Sequence, residues 1–366
     1  MEQRLPRPRE ALASLASVVP IRRAKPATGD TRLSLNEWSD DVSVADYLTA
    51  DDLAALRINR YPDAGMRDLR DALGVLWNAR PEEIVIGNGS MEVLANAFLT
   101  YGGSGRTALV FDPTYPLYRQ LGVVAGMDVV SEPVGLPYRL EPARVRAAVE
   151  RHRPSIVSFC SPNNPTGDLI DRDAILAAAE HAPEALVLVD EAYLEYSGAR
   201  SLLDERQRYP NLAVAKTFSK IRGAAGLRIG ALIADPRILR PLDAVRMPWS
   251  VDPIAQLVAT RIARQGDLMP ERAAHVARER AMVLAVLRAH PGLEVFPSVT
   301  NFVLFRPRDG RHGELHAGLA EQGVLIRELS SWTGVEDCLR VTIGTVDENR
   351  RFLAAIDRAL AAVVPA

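Results

Sequence analysis

Leu186-Val187-Leu188-Val189-Asp190-Glu191-Ala192-Tyr193 is an unbroken apolar run that stops at a carboxylate. Apolar β-branched runs recur at Ile84–Ile86, Ala108–Phe111, Ile156–Phe159 and Leu212–Ala215. Between them lie stretches with helical spacing, such as Met91–Leu99, Ala143–Glu150 and Asp173–His181. Strands without a polar face, alternating with helices, predict an α/β fold whose largely parallel sheet is covered on both sides. After Arg246-Met247-Pro248-Trp249 the character changes. Long helices are predicted over Ile254–Arg264 and Glu271–His290, then short strands at Leu293–Phe296, Phe302–Phe305, Val324–Arg327 and Leu339–Ile343, and a closing helix over Glu348–Val363. That is a smaller α+β unit. The expected division is an N-terminal arm (1–32), a large domain (33–250) and a small C-terminal domain (251–366).

The arm is rich in arginine and proline and reads as extended, with a short helix near Ala11–Val18. A length of 366 residues suits one large and one smaller domain, and 48% hydrophobic content marks a globular chain. A formal charge of -2 argues against a general nucleic-acid or membrane-surface binder. Only Cys160 and Cys338 occur, without metal-like spacing, which excludes a disulfide framework and a zinc cluster and fits the cytoplasm. No run reaches the roughly 18 apolar residues of a membrane span, and no secretory signal is evident.

Ligands of open α/β sheets bind beyond the carboxyl ends of the strands, and the unusual residues of this chain fall there repeatedly. Lys220 is one of three lysines, with Lys25 and Lys216, in a chain whose lysine and arginine total is 44. Arginine keeps its proton, whereas a desolvated lysine amine can become neutral and attack a carbonyl. In Thr217-Phe218-Ser219-Lys220 and Gly226-Leu227-Arg228-Ile229-Gly230, an amine, two hydroxyls and a guanidinium suit a pyridoxal phosphate site. Lys220 would form the Schiff base, and Thr217, Ser219 and Arg228 would face the phosphate. The plain alternative is a surface-loop lysine.

Asp190 could pair with a pyridine nitrogen, or simply cap the next helix. Tyr193 could donate to the ring's phenolic oxygen. Asn164, in Cys160-Ser161-Pro162-Asn163-Asn164-Pro165-Thr166-Gly167, could present its amide to the same oxygen, or merely belong to a turn. Gly87-Asn88-Gly89-Ser90-Met91-Glu92 leads from a strand into a helix, a phosphate cradle or a plain N-cap at Ser90. Tyr115 could stack on the ring or pack in the core.

Together, and in this order from Leu33 to the last helix, these motifs resemble the fold type I pyridoxal-phosphate enzymes, in particular the histidinol-phosphate aminotransferase branch. The resemblance implies pyridoxal 5'-phosphate as cofactor, with Lys220 as its Schiff-base lysine and Asp190 as the pyridinium partner. Asn164 and Tyr193 would contact the ring oxygen and Tyr115 would stack on the ring. Ser90 and Met91 would meet the phosphate through their backbone, beside Thr217, Ser219 and Arg228. Arg60-Tyr61-Pro62-Asp63 also matches, and it implies a homodimer in which Tyr61 reaches the neighbouring subunit's phosphate. Leu33-Ser34-Leu35-Asn36-Glu37 matches the family's substrate-side opening. Trp38-Ser39-Asp40-Asp41 then departs from it, two acids replacing a neutral turn. Arg327 and Arg340 match two arginines that grip anionic groups of the substrate. The implied reaction passes an amino group from an anionic small-molecule donor, phosphorylated or carboxylated, to a keto acid acceptor. Met247-Pro248-Trp249-Ser250-Val251-Asp252 also looks like the threonine-phosphate decarboxylases, so a decarboxylase or lyase is the alternative, while Tyr115 and Tyr193 lean toward aminotransferases. No metal is expected.

Overall fold

The apolar runs pair side by side into one sheet. The computed structural model describes residues 9–15, 29–265 and 268–363. In chain order its strands are β1 (Thr31–Arg32), β2 (Ile84–Asn88), β3 (Thr107–Asp112), β4 (Asp128–Pro133), β5 (Ile156–Cys160), β6 (Leu186–Asp190), β7 (Leu212–Thr217), β8 (Ile229–Ala234), β9 (Leu293–Val295), β10 (Phe302–Pro307), β11 (Val324–Leu325), β12 (Arg327–Glu328) and β13 (Leu339–Thr342). The main sheet has seven strands in the order β2-β8-β7-β6-β5-β3-β4, and only β8 runs against the others. Successive residues of each strand point to opposite faces. Leu186 and Leu188 therefore join one apolar cluster, and Val187 and Val189 join another. Helices such as Ser90–Tyr101 on one side and Arg67–Trp77 on the other supply the matching surfaces.

The reversal of β8 positions the site. Because β8 is antiparallel to β7, with Gly230 opposite Thr217, its first residue starts at the edge where β7 ends. Arg228 thus joins Asp190, Cys160 and Thr217 at one edge of the sheet.

A second sheet, β12-β13-β10-β9, is antiparallel. It packs with the helices Met269–Ala289, His312–Glu321 and Val346–Val363. The strand predicted over Val324–Arg327 is divided in two. Val324 and Leu325 pair in parallel with Thr31 and Arg32, and Arg327 and Glu328 pair with Leu339 and Arg340. Ile326 is buried between them, where the backbone changes partner. The N-terminal strand causes the break, since it takes the first half away from the second sheet. In the arm, a 3-10 helix covers Glu10–Leu15, and the rest of the helix expected near Ala11–Val18 lies outside the described residues, as does Lys25. Among the described residues no helix is long and apolar enough to cross a membrane.

Candidate active site

The strand ends and the N-terminal segment enclose a cavity of about 380 Å³. Asn36, Ser90, Met91, Tyr115, Asn164, Tyr193, Thr217, Ser219, Lys220, Arg228, Arg327 and Arg340 all line it. Residues far apart in the chain, and singled out for separate reasons, therefore share one chamber. Asp190 sits just behind the lining, and Tyr61 lies outside it.

Lys220 is buried, and its Nζ donates to the Leu35 carbonyl at 2.9 Å. Burial and the nearby Arg340 guanidinium lower its pKa to about 8. Asp190, at the end of β6, is buried as well. Its two oxygens accept from the Ala192 N–H and the Tyr118 hydroxyl, each at 3.1 Å. Burial raises its pKa to about 6, against the pull of those two donors and of Lys220. Asp190 does accept from the backbone two residues on, as a capping aspartate does, yet its other oxygen faces a phenol from a distant helix.

The phosphate-sized end of the cavity is built where glycines are required. Gly89, at φ +79°, precedes the helix Ser90–Tyr101 and supplies no capping side chain, so Ser90 is the first helical residue and not the N-cap. A Cβ on Gly89 would overlap the Arg228 guanidinium, and one on Gly230 would overlap the Ser90 amide nitrogen. Arg228 donates to the Ser219 hydroxyl at 3.3 Å, and the Thr217 hydroxyl lies 3.0 Å from that of Ser219. A helix N-terminus, two hydroxyls and a guanidinium form an anion cradle. A dianionic phosphate there, a reactive amine and a buried carboxylate together fit pyridoxal phosphate.

The N-terminal segment forms the opposite wall. Asn36 is buried in a left-handed backbone conformation, φ 55°. Its amide Nδ2 donates to the Tyr193 hydroxyl at 3.1 Å, its N–H donates to the Thr342 hydroxyl, and its carbonyl accepts from Asn301. Burial raises the pKa of Tyr193. Trp38 lies on the Arg272 guanidinium, 4.6 Å from ring centre to carbon, and packs against Gly223. Arg340 donates to the Asn164 side-chain oxygen and to the Ser34 carbonyl. Beyond its backbone pairing in β12, Arg327 makes no hydrogen bond or ion pair among the described residues. Burial lowers its pKa.

Three residues in or behind this wall carried no individual signal: Tyr118, Cys160 and Trp332. Tyr118 follows Tyr115 by one helical turn, a spacing that could have been noticed. The reach of Trp332 depends on a loop fold that no local pattern encodes. Lys216 is resolved differently from Lys220. It is buried with its Nζ 2.8 Å from Glu191 and 3.5 Å from Glu195. Tyr61 is 79% exposed and stacks on Trp249 with ring centres 4.5 Å apart.

Comparison with known proteins is consistent across sequence and structure. The family model described as aminotransferase class I and II matches residues 29–356. A histidinol-phosphate aminotransferase of Nitrosococcus oceani is 35% identical over 83% of this chain and 84% of its own. The histidinol-phosphate aminotransferase of Sinorhizobium meliloti, solved in complex with pyridoxal-5'-phosphate, superposes with a TM-score of 0.83 at 24% identity, covering 98% of this chain and 96% of that one. L-threonine-O-3-phosphate decarboxylase of Porphyromonas gingivalis has the same fold, with a TM-score of 0.77 at 24% identity over 90% of this chain and 99% of that one.

Proposed function

The chain belongs to the aminotransferase class I and II family, and on that premise we propose that it is a pyridoxal-phosphate-dependent enzyme moving an amino group from a phosphorylated amino donor of the histidinol-phosphate type to a keto acid. Arg327 carries the choice of donor. A half-buried guanidinium that lines the cavity and makes no ion pair among the described residues calls for an anion from the substrate.

When bound, the cofactor supplies an aldehyde for amine exchange and a ring that withdraws electrons from the substrate α-carbon. Thr217, Ser219, Arg228 and the N–H groups at Ser90 and Met91 would hold its phosphate. Asp190 would pair with the pyridine nitrogen and hold a proton there, with the Tyr118 hydroxyl and the Ala192 N–H orienting that carboxylate. Asn164 and Tyr193 would hold the phenolic oxygen, and Tyr115 would cover the ring. Lys220 would hold the cofactor aldehyde and, once its amine is free, would serve as the base that moves the substrate's α-proton. Arg340, already directed by Asn164 and Ser34, receives a carboxylate or an equivalent inner anion. Arg327 receives the outer one.

With 2-oxoglutarate as acceptor, L-histidinol phosphate should exceed L-histidinol by about 10²-fold or more in kcat/KM, since a lost partner leaves Arg327 unpaired. Arg327→Gln should erase most of that preference by raising KM. Equal use of both donors would refute the phosphate assignment. Carbon dioxide release from O-phospho-L-threonine without amino transfer would move the assignment to a decarboxylase.

The enzyme works, in this reading, as a cytoplasmic homodimer with shared sites. Ile58, Tyr61, Met247 and Trp249 leave apolar surface exposed, and Asn88 joins the Trp249 segment to the cradle by a 2.9 Å bond to the Ser250 carbonyl. Tyr61 would then complete the neighbouring subunit's cradle. Lys220→Ala and Tyr61→Ala proteins, each inactive or crippled, should on mixing recover about a quarter of native activity, because half the dimers are mixed and each mixed dimer has one intact site. Full activity in a sedimenting monomer would rule the arrangement out.

A further inference from the structure

We infer that Trp38 and Arg272 are positioning residues for Lys220: stacked on one another, they fasten the N-terminal wall of the cavity to the turn that carries the lysine. The inference rests on Lys220 as the lysine that takes up the cofactor, and it names what holds the amine in place for that step.

Lys220 opens a tight turn. The Gly223 N–H donates to the Lys220 carbonyl at 2.9 Å, and Gly223 lies at φ +71°, a conformation that favours glycine. The next carbonyl, that of Ile221, accepts from Arg272 Nη1 at 2.8 Å. Arg272 lies near the start of the helix Met269–Ala289, so a helix that packs with the second sheet grips the Lys220 turn through a charge-assisted bond.

A second support reaches the same point from the N-terminal wall. The Trp38 ring covers that guanidinium, 4.6 Å from ring centre to carbon. A Cβ on Gly223 would come within 3.0 Å of Val42 Cγ2, 3.1 Å of Trp38 Cδ1 and 3.3 Å of Arg272 Nη1. Three segments therefore meet on the bare backbone of one turn. Trp38 and Arg272 are both half-buried, and an indole face attracts a cation more strongly where water is displaced. The contact uses the stretch Trp38–Asp41, where the sequence departs from the family's opening.

Both ends of Lys220 depend on this contact. Its backbone leads into the turn that Arg272 grips, and its Nζ donates to the Leu35 carbonyl, three residues before Trp38. Asn301 Nδ2 ties the Asn36 and Glu37 carbonyls to the second sheet, at 3.2 and 3.4 Å. Trp38 then joins the wall to the Lys220 turn. Without the indole the wall stays on the second sheet but loses its hold on the turn, and water reaches the amine. Burial is the main cause that brings the Lys220 pKa down to about 8, so admitted water makes the amine less reactive. Neither Trp38 nor Arg272 lines the cavity, so both act through Lys220.

The test follows two properties of the full-length, cofactor-free protein at neutral pH. One is the rate of covalent pyridoxal phosphate uptake, read as the appearance of yellow colour. The other is the Kd of pyridoxamine phosphate, which occupies the cradle without bonding to Lys220. Trp38→Leu keeps apolar bulk without an aromatic face, and Arg272→Met keeps length without a donor. Each should slow uptake about fivefold or more while the pyridoxamine phosphate Kd changes less than about twofold. Trp38→Phe keeps a ring over the guanidinium and should stay within about twofold of native uptake. The double variant should be no more than about twofold slower than the slower single one, because either change alone opens the contact. Trp38→Met and Arg272→Leu carry the test if the first pair does not fold. Near-native uptake in Trp38→Leu, equal slowing by phenylalanine and leucine, additive losses, or a Kd that weakens in parallel would overturn the inference. Borohydride labelling of Lys216 in the native protein would instead defeat the Lys220 assignment on which it rests.

Discussion

Lys220→Arg is expected to lose about 10⁴-fold in turnover, together with the yellow colour of the loaded protein, although it preserves the charge. A guanidinium cannot give up its proton to become the attacking amine or the returning base. The surroundings of Lys220 favour the neutral form. With a pKa of about 8 in the cofactor-free protein, about a tenth of the amine is neutral at pH 7, against roughly one part in three thousand at an ordinary 10.5. Covalent uptake of pyridoxal phosphate by the cofactor-free protein should therefore accelerate as pH rises toward 8 and level off above it. Borohydride reduction of the loaded protein should fix the cofactor on Lys220 and spare Lys216, as read by peptide mass mapping. Burial works against the charge of Lys216 too, but Glu191 and Glu195 outweigh it and raise that pKa. Two buried lysines four residues apart thus have opposite chemistry, since carboxylates outweigh burial at Lys216, whereas burial and Arg340 outweigh Glu37 and Asp190 at Lys220. Labelling on Lys216 would remove Lys220 from its role.

That contrast shows what local sequence can and cannot carry. Lys216 and Lys220 are both conspicuous against an arginine background, and nothing adjacent to Lys216 announces its ion pairs, because Glu191 and Glu195 arrive from the segment that follows the neighbouring strand β6. The strand ends were legible because a parallel α/β sheet concentrates its special residues immediately after apolar runs, as in Val189-Asp190 and Phe159-Cys160. The edge strand β4 was not, since Asp128, Ser131 and Glu132 give it the polar content of an exposed element. Nor was the reversal of β8, which brings Arg228 to the cradle. The direction of a strand is set by its partners and leaves no mark on Ile229–Ala234 itself. The same limit hides the opposition of Arg327 and Arg340. Each matched a family motif alone, while their cross-strand pairing exists only through register. Tyr118 was missed for another reason. A tyrosine on a helix facing the core is ordinary until its hydroxyl is seen to end at Asp190.

Asp190→Asn should lower kcat by about ten- to a hundredfold while the cofactor Kd changes by less than about threefold. The carboxylate accepts from the Tyr118 hydroxyl and the Ala192 N–H, and an asparagine of nearly the same volume can occupy the same place. The cradle at Ser90, Thr217, Ser219 and Arg228 is untouched, which leaves the phosphate contacts and most of the affinity. What is lost is charge. Asp190 sits where burial has raised its pKa to about 6, and a cation opposite it, the protonated ring nitrogen, would hold it ionised in return. A neutral amide offers a hydrogen bond without that mutual stabilisation, and the ring nitrogen then gives up its proton more readily. Tyr118→Phe provides the graded comparison. It removes one donor from Asp190 and keeps the charge, so its effect on kcat should be smaller, about three- to tenfold, in the same direction. The ranking native, Tyr118→Phe, Asp190→Asn in kcat, with cofactor affinity nearly flat across the three, is the signature of a carboxylate acting on the ring's protonation. A fall in affinity that parallels the fall in kcat would mean that Asp190 serves only to hold the cofactor in place, and near-native turnover in Asp190→Asn would take it out of the mechanism.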